Sequence, residues 1–261
     1  MTTQQFLTSA WTWNTAVLIA AAAALVAYVW AFGINQRMVY LLAGVGVFVL
    51  TLLSPLNALA AGYLFSAHML QHILLLLIVP ALLLMSLPRW VSLGPRSWFI
   101  ANPFVGWAAG VGAMWLWHAR PLCNAAVSSQ LVNALQIVSL PLLGAIFWRQ
   151  ILAPREEERM SPGAAVLYLF SACVACSILG ILITFSPVSV CPIYAQSPAD
   201  RLGIANLIQS NWAITPDKDQ QIGGLLMWVP MCLVYLSAIV AQLARWFGHP
   251  VASAPVTGKP S

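Results

Sequence analysis

The stretch Ser66-Ala67-His68-Met69-Leu70-Gln71-His72-Ile73-Leu74-Leu75-Leu76-Leu77-Ile78-Val79-Pro80-Ala81-Leu82-Leu83-Leu84-Met85 carries no Asp, Glu, Lys or Arg. It sits inside an apolar segment running from about Leu59 to Leu87. At 1.5 Å of rise per residue, roughly 20 such residues cross a bilayer. His68 and His72 are four residues apart, so a helix sets both imidazoles on one face, about 6 Å apart along its axis. Imidazole inside an apolar span is costly to keep and therefore marks a functional-site candidate.

Composition extends this reading to the whole chain. Of 261 residues, 61% are hydrophobic and 7% charged, and the mean hydropathy is +0.86. A soluble domain carries roughly 25% charged residues; here lipid must replace water over most of the surface. The formal charge of +5 is then a matter of topology, not of nucleic acid, which is not an expected partner. Met1 to Ala10 has no Lys or Arg, so the basic region of a cleaved signal peptide is not expected.

Seven apolar segments are visible: about Trp13 to Phe32, Met38 to Ser54, Leu59 to Leu87, Phe104 to Trp117, Leu131 to Leu152, Gly163 to Phe185 and Ile222 to Phe247. The expected fold class is all-α, a polytopic membrane bundle of seven transmembrane helices. Residues 1–249 form one membrane domain and residues 250–261 a disordered cytoplasmic tail. Arg37, Arg89, Arg96, Arg149, Arg155, Arg159, Arg245 and Lys259 fall on one side of such a bundle; Arg120, Arg201 and Lys218 fall on the other. Basic residues collect on the cytoplasmic side, which puts the N-terminus outside and the C-terminus inside.

In that orientation the unusual polar residues converge on the outer face. His68 and His72 lie in the outer half of the third span, and His118 ends the fourth within Trp115-Leu116-Trp117-His118. Two readings compete for the histidines. They either bond to backbone carbonyls or to Gln71 and pack helices together, or they handle a metal or haem. Imidazole suits copper, zinc, iron and nickel, and a thioether favours Cu(I). Met69, Met227 and Met231 are the available thioethers. Asp219 opens the last span; it either caps that helix or orients a ligand histidine. Cys173 and Cys176 share a helical face near mid-membrane and read as packing residues, as does Cys232; His249 belongs to the inner tail. Cys123 and Cys191 are both on the outer side, where disulfides persist, but their pairing is not fixed by sequence. No nucleotide loop, serine triad or zincin motif is present. No carboxylate lies deep in a span, which argues against a proton pump or ion-coupled transporter.

Phe65-Ser66-Ala67-His68-Met69-Leu70-Gln71-His72, Trp115-Leu116-Trp117-His118, Thr184-Phe185-Ser186-Pro187 and Asp219-Gln220-Gln221-Ile222-Gly223-Gly224-Leu225-Leu226-Met227-Trp228-Val229-Pro230 together resemble the CtaG family of cytochrome c oxidase assembly factors. The resemblance runs from about Leu53 to Pro230. It implies a multi-pass protein of the bacterial inner membrane, not itself an enzyme, that helps mature a haem–copper oxidase by supporting copper delivery to its subunits. His68, His72 and His118 would be the metal-handling histidines, with Met69 and Asp219 beside them and Gly223 and Gly224 allowing close helix approach. The family's His-x-x-Glu-His motif on the fifth span is replaced here by Asn133-Ala134-Leu135-Gln136-Ile137, and the loop from Pro192 to Pro216 is longer than usual. The rivals are a haem-binding redox subunit with histidine axial ligands and a non-catalytic structural subunit of a respiratory complex.

Overall fold

Helix stops and starts in this chain follow local chemistry. Asn14 accepts from the Ala16 and Val17 N–H groups and opens helix α1, Thr15–Phe32, which ends at Gly33 with φ +66°. Helix α2 is Met38–Leu53. Ser54 caps a short helix, Pro55–Ala60, with Pro55 at its first position. Helix α3 is Phe65–Ser86. Asn102 and Pro103 start α4, Pro103–Trp117. After a short helix, Arg120–Ser128, Ser129 caps α5, Gln130–Leu152. Helix α6 is Pro162–Phe185 and α7 is Pro216–Gly248. The computed structural model describes residues 2–94, 99–195, 200 and 203–248. Among these there is no strand. The 250–261 tail, His249, Arg96, Arg201 and Lys259 lie outside them.

All seven apolar segments are helical. Among the described residues, five helices (α1, α3, α5, α6 and α7) are long and apolar enough to cross a membrane. Helices α2 and α4 have 16 and 15 residues, shorter than the roughly 20 of a typical span. Two boundaries differ from expectation. The third helix begins at Phe65, not Leu59, because Gly62 turns the chain at φ +148° and Leu64 is extended. The last begins at Pro216, about two turns before Ile222.

Helix α3 is the centre of the bundle, packed by α7, α2 and α5. It is not a regular α-helix throughout. Leu74–Ile78 forms a π turn, followed by Pro80. Proline has no N–H for the carbonyl four residues back and its ring crowds that carbonyl, here Leu76. The wider π turn absorbs the mismatch. Gly144 of α5 lies against this place: a Cβ there would collide with the Leu76 carbonyl oxygen and come within 2.8 Å of Pro80 Cγ. Helices α6 and α7 form a closely packed antiparallel pair. A Cβ on Gly224 would come within 2.7 Å of the Thr184 nitrogen and 2.9 Å of the Gly180 oxygen.

A second, smaller core lies beside the start of α3. It joins Phe6 of an N-terminal helix, Thr3–Ser9, to Ala60, Leu64 and Ala67, and to Ile204, Leu207 and Ile208 of the long loop before α7.

Gly144→Ala is expected to destabilise the protein by about 1–3 kcal/mol through overpacking. Gly112→Ala, where nothing lies within 4 Å of the added carbon, is expected to stay within about 0.5 kcal/mol. Thermal unfolding of the two variants in detergent checks the contrast.

Candidate functional site

The site begins with the helix that carries it. Leu64, at the N-cap of α3, offers no side-chain cap. The first N–H groups of a helix need partners, and Asp219 of α7 provides them. Its Oδ2 accepts from the Phe65 N–H at 2.6 Å and its Oδ1 from the Ser66 N–H at 3.0 Å; the Ser66 hydroxyl donates to Oδ1 as well. Asp219 therefore caps a neighbouring helix and not its own, which corrects one of the two expectations for it. The other expectation also shifts. Its accepted bonds go to Phe65 and Ser66, so it orients the histidine helix through backbone and hydroxyl, not through an imidazole.

The next residue serves a second helix. Gln220 Nε2 donates to the carbonyls of Ile183 at 3.3 Å and Ser186 at 3.2 Å, at the end of α6, and its Oε1 accepts from Val190 at 2.9 Å. One turn on, Gly223 faces α3, where a Cβ would come within 2.6 Å of Phe65 and 3.1 Å of Met69. Gly224 faces α6. Spacing of four keeps residues on one helix face: Asp219 and Gly223 meet α3, Gln220 and Gly224 meet α6. The expected close approach at both glycines is present.

On that framework the three histidines stand in a row. The ring centroids of His68 and His72 are 4.4 Å apart, and those of His72 and His118 are 5.1 Å apart with planes at 88°. All three rings are buried, at 5%, 1% and 5% exposure, and Met69 is at 0%. The long loop before α7 covers the site. His118 Nδ1 bonds to the Met114 carbonyl, so Nδ1 carries the hydrogen and Nε2 presents a lone pair. That lone pair faces Met69 Sδ at 2.9 Å. His68 Nε2 and both nitrogens of His72 make no hydrogen bond of ordinary geometry, although the Gln136 side chain comes close to His72. Gln71, a proposed packing partner, spends its amide on the Thr51 carbonyl and Asn57 at 3.0 and 3.1 Å instead. Among the described residues, no three His, Cys, Asp or Glu side chains gather as a preformed metal centre. The rings form a file, not a cage. Among those residues no bond joins Met227 or Met231 to a histidine.

Two residues without an assigned role in the sequence reading belong here. Gln136, at 3% exposure, approaches His72 from α5 with its Nε2 unbonded. Only its place within the altered fifth-span motif signalled it. Tyr194 of the long loop before α7 stands over His68, ring centroids 5.8 Å apart, and donates to the Ala60 carbonyl at 2.7 Å. Burial, and then nearby Asp219, holds its phenol well above the ordinary tyrosine range, which keeps the O–H available as donor. Small clefts pass on either side of Tyr194, and both reach Asp219. A disulfide between Cys123 and Cys191, with Cα atoms 5.9 Å apart, ties this loop to the short helix after α4.

The fold and site define a multi-helix membrane protein with a buried file of three histidines and a methionine under a covalently tethered loop. Residues 27–249 match the family described as cytochrome c oxidase caa3 assembly factor (Caa3_CtaG), and the chain belongs to that family. It is also similar to an uncharacterized protein of Mycobacterium leprae (strain TN), with 24% identity over 234 residues. That match covers 80% of this chain but 34% of the relative, so the chain spans about a third of the relative's length. No solved structure matches.

Asp219→Ala leaves two buried N–H groups of α3 without partners, and such groups cost about 1–3 kcal/mol each. It is expected to lower stability more than Ser66→Ala, which removes one hydroxyl donor worth about 1 kcal/mol. Equal unfolding temperatures for the two variants would contradict the cap. Removing the disulfide by Cys191→Ser is expected to cost about 2–4 kcal/mol, read as a lower unfolding temperature that reductant reproduces in wild type and does not add to in the variant.

Proposed function

We propose that this protein holds Cu(I) at the buried histidine file and supports its delivery to a haem–copper cytochrome c oxidase during assembly, without catalysing a reaction itself. In this reading the bundle crosses the bacterial inner membrane seven times, with α2 and α4 as its short spans, the N-terminus outside and the C-terminus inside. The family membership supports the assembly role, and the distribution of basic residues supports the orientation.

The observation that carries the copper reading is the set of buried imidazole nitrogens left without hydrogen bonds. An unpartnered buried polar group costs about 1–3 kcal/mol; here His68 Nε2 and both nitrogens of His72 are without such bonds, and each neutral ring has one lone pair to offer a metal, the other nitrogen being an N–H. In addition, His118 Nε2 and Met69 Sδ point lone pairs at one another, a contact that a soft cation would relieve. Neutral imidazole is the ligand form, and imidazole with thioether suits Cu(I). His68, His72, His118 and Met69 are the ligands in this reading, and Gln136 faces the same space. Copper is cargo, so the file opens and closes: His68 and His72 rotate about their side-chain bonds to converge on the ion. Asp219 assists at a distance. The N-terminus of α3 carries a partial positive charge one turn from His68, and the carboxylate offsets it, removing a repulsion that a cation would otherwise meet.

Purified protein loaded with Cu(I) under reducing conditions is expected to retain about one copper per chain, and the His68→Ala/His72→Ala variant to lose most of it. Metal analysis with an absorption spectrum checks this. Copper retained equally by the variant would contradict the site. A Soret band in protein as purified would replace the copper reading with haem. Lack of both would leave a structural subunit.

A further inference from the structure

Tyr194 stands between His68 and the two clefts that approach it. One cleft, of about 40 Å³, has Tyr63, Leu64, Tyr194 and Asp219 among its walls. The other, of about 50 Å³, has Phe65, Ser189, Tyr194 and Asp219. A water needs roughly 10–15 Å³, so either cleft admits water or a small cation as far as Asp219. His68 lines neither of them. Its ring lies 5.8 Å from that of Tyr194, and Phe65 meets the same tyrosine edge-on at 5.9 Å. The two clefts share Tyr194, Ala195, Pro216 and Asp219, so the tyrosine is a partition between them as well as a cover for the histidine.

The backbone under this side chain is fixed from several directions. Cys191, three residues earlier, is bonded to Cys123. The Ile193 N–H donates to the Asn124 side-chain oxygen at 3.3 Å, and the Tyr194 N–H to the Cys191 carbonyl at 3.2 Å. At its far end the side chain is held by its O–H, which donates to the Ala60 carbonyl at 2.7 Å. Ala60 ends the short helix Pro55–Ala60, where carbonyls lack partners within the helix, so a free acceptor waits at that point. A hydrogen bond latches the ring, and rotation about side-chain torsions between staggered positions releases it.

We propose that Tyr194 is the gate of the histidine file: rotation of its side chain away from the Ala60 carbonyl joins the two clefts and opens a path past Asp219 to the His68 ring. A latched side chain on a pinned backbone opens locally, with the disulfide and the Asn124 contact left in place. The gate itself stands on this geometry; that Cu(I) is what passes it rests on the copper reading.

The test separates the two. Metal-free full-length protein in detergent is treated with diethylpyrocarbonate, which modifies neutral imidazole, and the rate at His68 is read by peptide mass spectrometry. Tyr194→Phe keeps the ring and loses the latch; it is expected to raise that rate on the order of five-fold, the effect of one hydrogen bond. Tyr194→Ala removes the gate and is expected to raise it further. Cys176 of α6, buried against Tyr235 of α7, reports general loosening through its rate with N-ethylmaleimide, and is expected to be unchanged in both variants. Equal His68 rates in all three proteins, or rates that rise together with that of Cys176, would overturn the gate. In Cu(I)-loaded protein, Tyr194→Phe is expected to release copper to a soluble chelator several-fold faster at unchanged stoichiometry. Copper held by wild type and released no faster from Tyr194→Phe would overturn Tyr194 as the route of the metal. Wild type that holds no copper would sink the copper reading and leave the gate to the imidazole rates.

Discussion

Helix α3 is held at both ends by charges that belong to other helices, and the site depends on that arrangement. Asp219 of α7 accepts the first N–H groups of α3. At the other end Arg37, which precedes α2, donates to the Met85 and Leu87 carbonyls at 3.1 and 3.0 Å. A carboxylate at the N-terminus and a guanidinium at the C-terminus complement the helix dipole and satisfy groups that lipid would leave orphaned. Position along the axis is thereby fixed. His68, His72 and Met69 are presented one and two turns from a pinned end, where α4 brings His118 against them. Between the pinned ends, the π turn at Leu74–Ile78 and Pro80 let α3 deviate without losing its place, because Gly144 of α5 fits the deviation.

The Asp219-Gln220…Gly223-Gly224 pattern has a geometric meaning. Two polar residues tie the ends of α3 and α6, and two glycines one turn later let the same two helices approach closely. Without a hydrophobic force between helices in lipid, close backbone approach and buried polar bonds are what hold a bundle together. The pattern spends one face of α7 on each neighbour. The disulfide and Tyr194 add the cover, so the histidines are withdrawn from the surface at this end of the bundle while remaining next to it.

Much of this was legible in the sequence. The apolar segments marked each of α1 to α7 because hydrophobic length survives without knowledge of partners. His68 and His72 were legible from their spacing alone. What was not legible depends on contacts between distant parts of the chain. Asp219 reads as a cap for the helix it opens, and only the fold shows that it caps α3, 154 residues away. The split at Gly62 was hidden because apolar residues continue on both sides of it. The N-terminal helix could have been read from its capping box, Thr2 with Gln5, a local signal that the longer apolar segments outweighed. Tyr194 and Gln136 carry no pattern of their own; what identifies them is the imidazole each one faces.

The most direct test of the central claim, that the file of His68, His72, His118 and Met69 is a copper site, is X-ray absorption at the copper edge of the Cu(I)-loaded protein beside Met69→Leu. The account predicts a first shell of imidazole nitrogens with one sulfur in wild type, and the same nitrogens without sulfur in the variant. A shell of sulfur alone, or one unchanged by Met69→Leu, would place the copper elsewhere and contradict it.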